Sequence, residues 1–140
     1  MTTYCDVARG HEFHGPYHDR EYGFPIADDN RLFDWMRHEL AAVVTAHGVT
    51  NLMISCHGCA FALVRGDAEL LHPVLDYEQE VPDHIAAEID PMLPDFSETY
   101  APYLPLGFSI ARHIFWLERD EPEAFESADA ILCYPQFWAW

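Results

Sequence analysis

"SCHGCAFALVRGDAELLHPVLDYEQE", residues 55–80, is the stretch on which the reading of this chain turns. It opens on Cys56, His57, Gly58 and Cys59, residue types that suit a metal or thiol site. "AFALV" (60–64), "RGDAE" (65–69) and "LLHPVLDY" (70–77) follow, and they predict a strand, a turn and a second strand. The question is whether the cysteines and the histidine carry the chemistry or merely stand at a strand end.

A structural zinc site usually takes two ligand pairs. Cys56 and Cys59 make one, and no second pair follows at finger spacing. The order is not C-x-x-C-H, so haem attachment does not fit. A thioredoxin-type pair precedes a helix, whose N-terminus lowers the thiol pKa, whereas strand-like residues follow Cys59. The plainer reading is two small apolar residues at the end of a strand. Upstream, "HEFHGPYHD" places His11, His14 and His18 in a loop with Asp19. Neutral imidazole binds zinc well, but an irregular loop does not by itself fix ligand geometry. A small non-catalytic metal- or thiol-binding protein, using Cys56, Cys59 and these histidines, therefore stands as the alternative reading.

Composition narrows the field. The 140 residues are half hydrophobic and rich in aromatics, enough for one domain with a real core. Net charge is −17, from 24 acids against 7 basic residues, and all the basic residues are arginines. The absence of lysine excludes a P-loop lysine or a Schiff-base lysine in this chain. The acidity argues against a nucleic-acid partner, which needs a basic patch. It fits a halophile's surface or arginine-for-lysine drift equally well. No apolar leader opens the chain and no apolar run is long enough to span a bilayer, so no membrane role is expected. Four cysteines do not make a disulfide scaffold, and reduced thiols in the cytoplasm are the simplest expectation.

Around the central stretch, "TTYCDVA" (2–8) predicts a strand and residues 9–27 a loop. A helix should begin at Asp28 or Asp29, with Leu32, Phe33, Met36, Leu40, Val43 and Val44 as its apolar stripe and Gly48 as its stop. "VTNLMIS" (49–55) predicts a buried strand running into the cysteines. "DHIAAEI" (83–89) predicts a short helix, and residues 92–107, with Pro94, Pro102 and Pro105, an irregular segment. Residues 108–120 predict a helix with Ile110, Ile114 and Leu117 in register. Residues 122–140 should begin as helix and cross a strand at "AILCY". An ending on Phe137-Trp138-Ala139-Trp140 suggests a chain cut inside a buried element.

Taken together, "SCHGCAFALVRGDAELLHPVLDYEQE", "EYGFPIADDNRLFDWM", "LPLGFSIARHIFWLERDEPEAF" and "ILCYPQFWAW" resemble the FGGY family of carbohydrate kinases. The order and spacing of these segments carry the resemblance, over nearly the whole chain from about Gly15. It implies an α/β fold, an incomplete ribonuclease-H-like (actin-like ATPase) domain with a mixed β-sheet and flanking helices. It makes residues 1–140 a single partial domain, without the family's phosphate-loop hairpin or its catalytic-Asp segment.

The resemblance also assigns roles. His57 becomes a ligand for sugar hydroxyls, and Gly58 lets the sugar approach the backbone. Asp76, Tyr77 and Glu78 stand where many members carry a Trp-x-Asp pattern against the sugar, while Gln136 stands where others often have an Asp. Carboxylates suit hydroxyl donors, and Tyr77 offers an aromatic face. The implied partner is a sugar or polyol. The implied reaction has an Asp outside this chain deprotonate a hydroxyl, which attacks the γ-phosphorus of ATP with Mg2+. No catalytic residue, metal or bound cofactor is expected in the chain alone. Its uncovered edges are expected to self-associate.

Overall fold

In a computed structural model, the described residues are 29–56, 58–67 and 69–140, with the backbone alone of 17–18 and 25–26. Within the expected N-terminal loop, β1 (Tyr17–His18) and β2 (Pro25–Ile26) pair antiparallel. The strand predicted at 2–8 lies outside the described residues.

The centre is β3 (Phe61–Arg65), flanked by β4 (Glu69–Leu70) and β5 (Ala130–Cys133). Its apolar residues alternate between two cores. Phe61 and Leu63 meet Ile85, Phe115, Trp116 and Leu117 on one face. Ala60, Ala62 and Val64 meet Val74, with Leu132, Tyr134 and Phe137, on the other. Ala62 and Leu63 are each 1% exposed. Burial on both faces explains why the sequence shows an unbroken apolar run instead of an alternating one.

The sheet corrects the expectation of a mixed β-sheet: among the described residues it is wholly antiparallel. A three-residue turn joins β3 to β4, and so short a link permits only antiparallel pairing. Gly66 occupies the positive-φ position of that turn at +54°. Its N–H donates to Asp129 Oδ2 over 2.8 Å, tying the turn to the start of β5.

Two further expectations fail for local reasons. Residues 49–55 form no strand, and Met53 is 92% exposed. An apolar run becomes a strand only where a partner satisfies its backbone groups, and these residues join no ladder among the described residues. The strand predicted over 70–77 ends at Leu70. Pro73, which has no N–H, interrupts it, and only Leu75 makes an isolated bridge beyond.

The helices lie closer to expectation. Helix α1 (Asp29–His47) ends where Gly48 turns left-handed at φ +62°, donating its N–H to Val44 O. Its apolar stripe is only thinly covered: no residue of α1 is buried, and Phe33 is 50% exposed. An open groove of about 460 Å³ separates the helix from residues 52–55 and Trp138. Helix α2 (Asp83–Ile89) buries Ile85 and Ile89. The proline-rich segment holds a short helix, α3 (Phe96–Thr99), between two single 3-10 turns, Asp90–Met92 and Leu106–Phe108. Helix α4 (Ile110–Asp120) buries Phe115, Trp116 and Leu117, together with Arg112 and His113. Of the predicted stripe Leu117 lies in the core, while Ile110 and Ile114 pack against that core partly buried. Helix α5 (Pro122–Glu126), β5 and helix α6 (Tyr134–Ala139) complete the chain. Among the described residues, no helix is long and apolar enough to cross a membrane.

Leu63→Ala should cost about 2–5 kcal/mol, because it opens a cavity beneath two helices. Met53→Ala, at an exposed site, should stay within about 0.5 kcal/mol. Urea melts of the two variants check both values, and equal losses would contradict the two-faced core.

Candidate functional site

β4 and β5 both run against β3: β5 ends at Cys133 opposite Phe61, where β3 begins, while β4 ends at Leu70 opposite Val64 and the chain continues past Val74, which packs with Ala60 at that same end. Gly58 and Cys59 enter there, the chain turns at 76–79 after β4, and Tyr134 follows β5. Ligands of open α/β sheets collect beyond the carboxyl ends of strands.

His57 lies outside the described residues, as do the side chains of His11, His14 and His18. Gly58 is exposed, and a Cβ built on it would meet nothing within 4 Å. The neighbouring packing therefore does not demand glycine there. Cys56 is exposed, yet partial desolvation pushes its thiol pKa up, away from the thiolate that redox and metal chemistry use.

Asp76 is half-buried and opens a tight turn. Its Oδ1 accepts the Glu78 N–H at 2.7 Å, and its carbonyl accepts the Gln79 N–H at 3.0 Å. This Asx-type arrangement orients the carboxylate through the backbone. Tyr77 is half-buried, with its ring 5.3 Å from that of Phe108. Glu78 is exposed. The turn thus presents two carboxylates beside an aromatic ring, a combination suited to hydroxyl donors on an apolar sugar face.

A second pair escaped the sequence reading. The Tyr134 hydroxyl donates to Asp29 Oδ1 at 2.8 Å across 105 positions of sequence. It fastens the start of α1 to the end of β5, and the Tyr134 N–H reinforces the join by donating to Ala60 O. Burial, followed by the Asp29 charge, pushes the Tyr134 phenol pKa far up. Only an Asp beside an apolar stripe and a Tyr after a strand hinted at the pair. Gln136 caps α6, its Oε1 accepting the Cys133 N–H at 3.0 Å.

The structure of a carbohydrate kinase from Novosphingobium aromaticivorans matches 89% of this chain with a TM-score of 0.78 at 30% identity. A xyloylose kinase from Brucella ovis matches 96% with a TM-score of 0.66 at 20% identity. Both structural neighbours are carbohydrate kinases. The first supports a carbohydrate-kinase relation, and the second shows likeness of fold. The chain spans 26% and 27% of those two kinase chains. No protein-family model and no curated protein matches it.

Tyr134→Phe should cost about 1–3 kcal/mol, the size of a hydrogen bond to a charged partner. The folded chain keeps Tyr134 protonated while the unfolded chain ionises it near pH 10. The unfolded state then binds fewer protons, so stability falls as pH rises above about 10. Alkaline denaturant melts should show a shallower fall in Tyr134→Phe than in the parent, and identical slopes would refute the pairing.

Burial, as the largest cause, holds His72 and His113 below the usual imidazole pKa. Around His113, Arg112 adds to the depression, while the Gln79 carbonyl and Asp76 oppose it. The unfolded chain protonates both histidines near pH 6.5 and the folded chain resists, so this contribution to stability falls on acidification below about pH 6.5. Melts at about pH 7.5 and pH 5.5 should show a smaller acid loss in His113→Gln than in the parent. An unchanged loss would refute the assignment.

Proposed function

We propose that this chain forms part of the sugar-facing domain of an ATP-dependent carbohydrate kinase of the FGGY type, on an actin-like, ribonuclease-H-like fold. The observation that carries the reading is the likeness to the Novosphingobium kinase over nine-tenths of the chain. The turn at Asp76 supports it chemically. Asp76 and Glu78 accept sugar or polyol hydroxyls, Tyr77 covers a carbon face, and Gly58 leaves room for the substrate backbone-side. His57 would add a further hydroxyl partner.

The described residues at this end do not fit ATP. Asp29, Asp76 and Glu78 are anionic and would repel a triphosphate unless cations intervened. ATP, Mg2+ and the base that deprotonates the sugar belong, in this reading, to kinase segments outside the chain. The thinly covered α1 stripe and the exposed Trp140 would then face such segments or a second copy. A kinase that draws on ATP would, in this reading, work in the cytoplasm.

The test is a titration of the isotope-labelled chain with a panel of ketoses and polyols, followed by amide NMR. Shifts should gather at Gly58 and 76–78 and vanish in Asp76→Asn. Shifts elsewhere, or none with any sugar, would overturn the reading. A coupled ADP-release assay on the same chain should register no turnover. Turnover that tracks the chain and disappears in Asp76→Asn would overturn the partial-domain assignment.

A further inference from the structure

The sheet ladder reaches the turn at 76–79 only through the isolated bridge at Leu75, because β4 ends at Leu70 and Pro73 follows. Its grip comes from residues 106–113. The Gly107 N–H donates to Tyr77 O at 2.9 Å. His113 Nε2 lies 2.8 Å from Gln79 O. A carbonyl only accepts, so Nε2 carries the proton. The ring of Phe108 lies against that of Tyr77.

His113 is 0% exposed, and its Nδ1 is buried without a hydrogen-bond partner among the described residues. Such an orphan costs free energy, so one good hydrogen bond and tight packing must hold the ring. Gly107 supplies the packing: a Cβ there would fall 2.1 Å from His113 Cε1. Leu106, next to it, takes a positive φ of 56°. That is a strained conformation for a residue with a side chain, and it persists only where the surroundings enforce it.

We infer that His113 and Gly107 are positioning residues for the sugar-facing turn, with the buried imidazole fixing where Asp76, Tyr77 and Glu78 point. The inference rests on the kinase reading for its functional meaning and on geometry alone for the latch. Helix α4 sets the place of the turn: His113 reaches it from behind, and glycine at 107 is what allows the ring to sit there. Loss of the Nε2–H donor frees Gln79, and the Asp76 carboxylate loses its fixed direction. A side chain at 107 displaces the ring with the same result.

The experiment uses the full labelled chain, with His113→Leu, His113→Gln and Gly107→Ala. Leucine fills the space without a donor, while glutamine keeps an N–H near the Nε2 position. Amide exchange at Glu78, Gln79 and Gly107 is compared with exchange across 61–64. His113→Leu and Gly107→Ala should speed exchange in the turn by about tenfold, the scale of one lost hydrogen bond, with β3 unchanged. His113→Gln should restore most of the protection. Polyol affinity should weaken about tenfold in the first two variants and recover in the third.

Turn exchange that is unchanged, or that rises only in step with β3, overturns the latch. So does a ring protonated at Nδ1 in the parent, read from imidazole nitrogen shifts. If His113→Leu fails to fold, Gly107→Ala and the ring tautomer carry the decision. If the parent binds no polyol, the kinase reading falls while exchange still decides the latch. If Asp76→Asn abolishes binding and His113→Leu leaves affinity unchanged, the positioning role falls and the kinase reading stands.

Discussion

Burial of β3 on both faces is the constraint on which the rest of the structure depends. Phe61 and Leu63 anchor the α2–α4 layer, while Ala62 and Val64 anchor the layer holding Val74 and Phe137. A strand buried on two sides must satisfy its backbone laterally. β4 does so at one end, and β5 does so along residues Phe61 to Val64. The two layers therefore meet across this five-residue strand, and Val74 and Leu75 again divide between them. The small residues Ala60 and Ala62 on one face bring Tyr134 and Phe137 close, and the larger ones on the other face fill the space beneath two helices.

The antiparallel arrangement sends three chain segments to the same end of the sheet. Those segments are fixed there by polar contacts to more distant parts of the fold. Tyr134 reaches the start of α1, and His113 reaches the turn after β4. His113 is buried and Tyr134 half-buried, and desolvation moves both titrations away from neutrality: the phenol up, the imidazole down. Each then works as a neutral hydrogen-bond donor through the physiological range. The acids near the same end, Asp29, Asp76 and Glu78, are spaced by these contacts instead of by the sheet ladder. In the proposed reading these acids would accept hydroxyl groups and disfavour phosphate.

Local signals in the sequence were followed faithfully where they acted alone. "FALV" forms the central strand, Gly48 stops α1, and "DHIAAEI" forms a helix as its pattern predicts. Where a partner decides the outcome, the sequence misleads. "VTNLMIS" has strand composition but no ladder, and Leu52 and Met53 stand exposed. "LLHPVLDY" has a strand's apolar content, but Pro73 removes a donor in its middle. The site was legible in part. Asp76 to Glu78 stood out as a carboxylate pair around a tyrosine after an apolar run. Asp29 with Tyr134, and His113 with Gln79, were not legible, since nothing local tells that residues 105 or 34 positions apart will meet.

An experimental structure of the chain grown with a ketose or polyol tests the central claim most directly. The account predicts sugar hydroxyls within hydrogen-bond distance of the Asp76 carboxylate, beyond the carboxyl ends of β4 and β5. Sugar bound instead in the groove between α1 and residues 52–55, with the Asp76 turn facing only solvent, would contradict it.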